Sequence, residues 1–278
     1  YEGHAFERNI FRAINCINKD IQKVAFHHSI PFKNQFSYTL NFKNGSNPDY
    51  ILTSGKLSHK KLKKIIKIKK NKILLIGSNR ISLKKNLRTK KIKNKINCLV
   101  LPEGIESETE YLLNFCKNYT NRFHNITFTI RLHPILKYKF NYYKKSYSTN
   151  FQNEKKIVFS IFQKASQDFI RNEVCLYRGT SLIFDAMKYG LLPYYLTKKN
   201  EISFDPVSIE KNNFNKINNV AKLNDFMKNY KNNRKLKFQN PYSLPNKKLI
   251  KLFHLYFFKN IIISGLRIGS CVVLIISF

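Results

Sequence analysis

The sequence predicts an α/β protein with parallel sheets. Three observations predict it. Over residues 97–197, short apolar runs alternate with stretches of helical periodicity, the pattern of βαβ units. Three of the runs (97–101, 126–130 and 174–177) have the length and composition of buried strands. Each is followed by a turn that carries chemistry: Leu101-Pro102-Glu103-Gly104, Arg131-Leu132-His133-Pro134 and Arg178-Gly179-Thr180-Ser181.

Taken in order, the chain begins without Met at Tyr1-Glu2-Gly3-His4, which suggests an N-terminal domain lacking its first strands. Ala5, Ile10, Phe11, Ala13, Ile14 and Ile17 then recur at helical spacing. Residues 24–26 read as a strand leading to His27-His28, and 48–55 as a strand entering a turn, so 1–55 looks like the end of one α/β domain. Residues 56–72 form a lysine-rich amphipathic helix with Leu57, Leu62, Ile65 and Ile66 on one side. It is either a solvated helix or one that lies on a membrane surface. A strand at 73–76 and a basic loop to Lys95 complete a connecting region, 56–96.

Residues 97–200 are the most regular part. Besides the three strands they hold helices at 107–115 and 181–189, a Tyr/Lys-rich loop at 137–155, and strands at 157–160 and 192–196. Residues 201–278 form an Asn/Lys-rich region with an apolar end, 252–278, broken by Lys259 and Arg267. Its uninterrupted part, 268–278, is short of the roughly 20 residues a spanning helix needs. A monotopic anchor or a closing helix is expected there.

The formal charge of +35 over 278 residues points towards anionic partners: nucleic acid, an anionic membrane surface or an acidic substrate. Lys, Asn and Ile are abundant together, as an AT-rich genome would impose, so the charge does not by itself designate a site. No RRM, KH, zinc-finger or helix-turn-helix signature is present, and no specific nucleic acid partner is expected. The five cysteines, Cys16, Cys98, Cys116, Cys175 and Cys271, are scattered without a C-x-x-C pair, which fits a reducing cytoplasm rather than a disulfide framework or a zinc site. With the basic charge this places the chain in the cytoplasm, peripheral on the inner face of the plasma membrane.

The chemistry gathers at the strand ends, where helix N-termini offer free N–H groups to anionic ligands. Arg131 can pair bidentately with phosphate oxygens, and His133 can donate a hydrogen bond or a proton to a leaving phosphate. In the Gly179–Ser181 turn, Gly179 permits close approach of the backbone, while Thr180 and Ser181 supply hydroxyls; an ordinary helix start would look the same. Asp185 lies one turn into the following helix, able to bind a ribose hydroxyl or to pair with a lysine. Glu103-Gly104 with Ser107, a good N-cap, and Glu108 form a nucleotide-facing turn. One of these acids must face a sugar, a base or an arginine, because two would repel phosphate. Glu2, just before a helix, stands where a general base for an acceptor hydroxyl would be needed, while Glu7 better fits a helix-start acid.

The order of an acidic residue with Gly, a His-Pro pair and a Ser/Thr-rich turn before a helix resembles the two-Rossmann-domain (GT-B) glycosyltransferases that use CMP-sugars. These are the Kdo transferases and bacterial sialyltransferases, alongside bacterial surface-carbohydrate biosynthesis proteins. The matching residues are Glu2-Gly3 or Glu103-Gly104, His133-Pro134 and Gly179-Thr180-Ser181. The resemblance implies a GT-B-like fold with two Rossmann-type domains, the N-terminal one incomplete. It also implies inverting transfer of a Kdo- or sialic-acid-like sugar from a CMP-sugar to a glycan or glycolipid acceptor. Glu2 would be the base, and Arg131, His133 and the Gly179–Ser181 turn would hold the CMP phosphate, with no metal or other cofactor. A CDP-glycerol or CDP-ribitol polyol-phosphate transferase, and a non-catalytic basic remnant binding polyanions, are the alternatives.

Overall fold

The computed structural model describes residues 3–31, 37–40, 42, 45–66, 72–78, 95–152, 154–207, 216–229 and 242–248, with the backbone alone at 265–268 and 271–276. It divides into two compact units. One comprises Tyr1–Pro31, Gln35–Leu83 and Asn240–Phe278, and the other Phe32–Asn34 and Lys84–Gln239.

In the first unit, helix α1 (Ala5–Ile17) opens with Glu7 accepting from the backbone N–H of His4 at 3.0 Å, the helix-start role expected of that acid. The helix buries Phe11 and Ile14. Strands β1 (Gln22–His27), β2 (Tyr50–Thr53) and β3 (Ile73–Leu75) pair in parallel, with Ala25 opposite Ile51 and Ile51 opposite Ile73. Between β2 and β3 runs α2 (Lys56–Ile65), whose Leu62 packs with Ile66, Ile51 and Ile73 in the core. That apolar side is thus covered by protein. The lysine-rich helix is shorter than the 56–72 expected, its last part lying outside the described residues. The expected boundary at residue 55 falls inside this continuous sheet, so 56–96 is not a separate connector.

His27 ends β1 fully buried, its Nε2 2.6 Å from the Tyr38 hydroxyl. Burial pushes its pKa down to about 3, so the folded chain holds it neutral. Below the ordinary value of about 6.5 the unfolded chain takes up a proton that the folded chain refuses. Stability is therefore expected to fall as pH drops from 6.5 towards 3, by about 1.4 kcal/mol per pH unit from this group. Urea denaturation of wild type and His27→Gln at a series of pH values measures it: the variant loses that part of the slope.

The second unit holds the strands β4 (Ile96–Leu101), β5 (Ile126–Ile130), β6 (Thr149–Phe151), β7 (Glu154–Phe159), β8 (Val174–Tyr177), β9 (Leu192–Leu196) and β10 (Lys216–Ile217). They form a seven-stranded sheet in the order β10-β9-β8-β4-β5-β7-β6, parallel except for the edge strand β6. Every residue of β8 and β9 is buried, as expected of parallel strands covered on both faces. The helices are α3 (Glu106–Thr120), α4 (Phe140–Tyr147), α5 (Ala165–Arg171), α6 (Ile183–Lys188) and α7 (Val220–Lys228). The chain starts mid-sheet at β4, builds outward through β5 and β7, then returns to lay β8 and β9 on the other side of β4. The order reverses between β4 and β8.

Three expectations are corrected. The loop foreseen at 137–155 contains α4 and β6, because Phe140, Tyr143 and Tyr147 give it a helical apolar stripe made only of aromatic residues. In the tail, the described segments are strands rather than a closing helix: β11 (Gly265–Ile268) and β12 (Cys271–Ile276) pair antiparallel, and β12 adds to β1. Runs of Val and Ile favour that extended form. The region after residue 200 also splits, since α7 and β10 belong to the second unit and residues from 240 onward to the first. Among the described residues no helix is long and apolar enough to cross a membrane.

Candidate functional site

The strand order reverses between β4 and β8, and the carboxyl ends of such a pair are the place of the ligand crevice in open α/β sheets. The turn after β4 occupies its centre. On one side the Glu103 carboxylate lies against Gly179, in the turn after β8: a Cβ built on Gly179 would sit 2.3 Å from Glu103 Oε2. Gly179 also has φ +56°, so both its backbone and its neighbour require glycine. On the other side Gly104 packs on the turn after β5, where a Cβ would meet His133 Nδ1 at 3.0 Å and Ile135 Cγ2 at 2.8 Å. The three segments singled out in the sequence meet in the fold.

Electrostatics differ along this line. Arg178 is buried and donates from Nε to Glu108 Oε2 at 2.6 Å, from Nη1 to the Leu196 carbonyl at 2.5 Å, and to both oxygens of Glu201 at 2.9 and 2.6 Å. Lys198 bonds the other oxygen of Glu108, and its backbone N–H donates to Glu201 at 2.8 Å. Two cations and two carboxylates thus neutralise one another beside the crevice. Glu103 stands outside that balance. Its carboxylate accepts no hydrogen bond among the described residues, and burial, with Glu108 nearby, raises its pKa above the usual carboxylate range against the pull of Arg178 and Lys198. A carboxylate with a raised pKa and a free lone pair is suited to taking a proton.

His133 is exposed, and its Nδ1 accepts from the backbone N–H of Ile135 at 3.3 Å. That fixes the neutral ring with its proton on Nε2, leaving an N–H to donate outward. Partial burial lowers its pKa, which favours the same neutral form.

No family model matches the chain, and no curated protein matches it. Among solved structures it is similar to S. aureus MnaA in complex with UDP, at 12% identity over 93% of this chain and 79% of that one, with a TM-score of 0.53. It is also similar to a UDP-N-acetylglucosamine 2-epimerase from Listeria monocytogenes, at 12% identity over 92% of this chain and 80% of that one, with a TM-score of 0.51. The fold is GT-B-like. Both neighbours are named with UDP or a UDP-sugar, not with the CMP-sugars that the sequence resemblance implied.

Within the GT-B-like frame the expected site residues fall into different places. Glu103, Gly104, His133 and Gly179 come together as described. Arg131 is directed to the protein instead of the crevice: it donates to Asp168 Oδ2 at 2.6 Å and to the carbonyls of Phe162 and Gln163, both at 2.9 Å, which fixes the loop after β7. Ser107 is exposed in the first turn of α3 and is not its N-cap. The helix starts after Ile105, which lacks a side-chain cap, and Thr109 bonds back to the carbonyls of Glu103 and Ile105. Thr180 accepts from the backbone N–H of Leu182 at 3.3 Å, and the Ser181 carbonyl accepts from that of Phe184 at 3.2 Å, so α6 begins at Ile183 instead of Ser181. Asp185 pairs with Lys188 at 2.7 Å, the lysine alternative of its two readings. Glu2 lies outside the described residues. Sequence reasoning missed Arg178 and Glu201: an Arg opening a small-residue turn gives no sign that its partners stand 23 and 70 residues away.

Proposed function

We propose that the chain is an inverting glycosyltransferase that takes a nucleotide-activated sugar, of the CMP-linked Kdo- or sialic-acid-like class, and transfers it to a glycan or glycolipid acceptor. The observation that carries this reading is the Glu103 carboxylate, without a hydrogen-bond partner among the described residues, held against Gly179 where the strand order reverses. Of the two acidic-Gly pairs in the sequence, Glu103-Gly104 is the one whose acid lies within the described residues, and its setting supports the role of base.

In this reading Glu103 removes the proton from the acceptor hydroxyl as its oxygen attacks the anomeric carbon. The bond from that carbon to the phosphate oxygen breaks, and the electron pair leaves with CMP. The Nε2–H of His133 donates to the departing phosphate, and backbone N–H groups of the Gly179–Ser181 turn and of the first turn of α3 add to it. The acids of that helix turn do not oppose the anion: Glu106 is bonded by Tyr138 and Lys139, Glu108 by Arg178 and Lys198. Arg131 acts through the loop it fixes, and no metal enters the scheme.

Transfer of label from CMP-sialic acid, CMP-Kdo, UDP-N-acetylglucosamine and CDP-glycerol to a lipid-linked and oligosaccharide acceptor pool tests the proposal. Product from a CMP-sugar, with release of CMP, supports it. Product from the UDP-sugar alone moves the donor to the class named in the two structural neighbours, and product from CDP-glycerol alone makes the chain a polyol-phosphate transferase.

A further inference from the structure

Immediately after His133 the chain runs through a 3₁₀ turn, Pro134–Lys139, into α4. One side of this segment is inward: Leu136 and Tyr143 are buried, and Phe140 and Tyr147 pack on the core. The other side is open, with Ile135 63%, Tyr138 72% and Tyr142 58% exposed. A 3₁₀ turn aligns residues three apart, and a helical turn aligns residues four apart. Ile135, Tyr138 and Tyr142 therefore follow one another along a single ridge.

Lys137, Lys144 and Lys145 are exposed beside that ridge, and residues 134–147 contain no Asp or Glu. Two carboxylates of α3 lie near the segment: Glu106, engaged by Tyr138 and Lys139, and Glu110, on the inward side near Tyr143 and Tyr147. The apolar surface also extends sideways. Strands β4, β5 and β7 are neighbours, and the turns after β4 and β7 expose Ile105 (55%) and Ile161 (78%).

We propose that this ridge docks the protein on an anionic lipid bilayer, with His133 at its border. Tyr side chains have the apolar body and polar tip that suit the headgroup level. Lysines beside them meet lipid phosphates while their stems cover apolar surface. Single-stranded nucleic acid also takes Tyr and Lys, but it needs π faces to stack on, and the three isoleucines provide none. The lysine-rich helix α2, the other candidate in the sequence, has its apolar side taken up by the core of its own unit, with Leu62 and Ile66 buried and Ile65 packed against them. The ridge goes beyond the proposed transfer reaction, and docking needs no nucleotide.

The test is co-sedimentation of the full chain with sucrose-loaded vesicles, either pure phosphatidylcholine or with about one third phosphatidylglycerol. The wild type is expected to pellet with the anionic vesicles only. Lys137→Glu/Lys144→Glu/Lys145→Glu lowers that partitioning at least roughly a hundredfold. Ile135→Ser/Tyr142→Ser weakens the part that survives high salt, and Lys60→Glu/Lys64→Glu on α2 leaves binding unchanged. Circular dichroism confirms that each variant folds. Binding that survives both ridge variants, or is lost only in the α2 variant, overturns the proposal. So does a chain that ignores vesicles and binds single-stranded RNA through the same lysines. Nucleotide titration of the lysine variant keeps this result separate from the donor reading, because that variant leaves in place Ile135, whose backbone N–H bonds His133 Nδ1 and whose side chain packs at Gly104.

Discussion

Arg178→Leu is expected to destabilise the second unit by about 3–5 kcal/mol, the loss found when one partner of a buried ion pair is removed. Leucine fills part of the space but leaves the Leu196 carbonyl and the carboxylates of Glu108 and Glu201 without the guanidinium that joins them. Lys198 remains for Glu108 but cannot replace the two-pronged bond to Glu201. Arg178→Lys keeps the charge and loses the fork, so an intermediate loss is expected. Urea denaturation followed by tyrosine fluorescence measures both. Equal stability of wild type and Arg178→Leu would mean that the network stabilises nothing net.

Glu103→Gln is expected to lower kcat for transfer by 10²–10⁴-fold, about the contribution of a general base. The amide has the shape of the carboxylate, and Glu103 accepts no hydrogen bond among the described residues, so folding should be unaffected. Nucleotide affinity should hold or rise slightly as a negative charge leaves the crevice. In the wild type the acid limb of the pH–rate profile should lie above the usual carboxylate range, because burial raises the pKa of this group. Activity rises as pH passes upward through that limb and Glu103 loses its proton. Activity within tenfold of wild type in Glu103→Gln would remove Glu103 as the base.

Much of the second unit could be read in advance, for a definite reason. Strands buried on both faces, such as β8 and β9, appear as unbroken apolar runs, and the turns at their ends carry the only concentrated chemistry in the region. Glu103, His133 and Gly179 stand at those turns, and the fold brings the turns together. What failed was everything set by partners distant in sequence. Arg131 has the composition of a phosphate ligand, yet Asp168, 37 residues on, takes it. Ser107 has the composition of an N-cap, but the helix begins earlier, where Gly104 ends the turn and Ile105 precedes the first helical residue. Helix α4 was hidden because its inward stripe is Phe and Tyr among lysines. The tail was hidden because an apolar Ile/Val run fits a buried strand and a helix equally well until it has a neighbour to pair with.

If the ends of β4, β5 and β8 form a nucleotide site with His133 on the phosphate, CMP binds there and loses affinity when His133 is removed. Calorimetric titration of CMP, beside UDP, GDP and CDP-glycerol, into wild type and His133→Ala tests it most directly. His133 is exposed, so its removal should leave the fold intact. CMP binding of micromolar order is expected in the wild type, weakened by about 1–3 kcal/mol in the variant, as for one lost charge-assisted hydrogen bond. Equal CMP affinity in the two proteins, or no nucleotide binding by a folded chain, would contradict it.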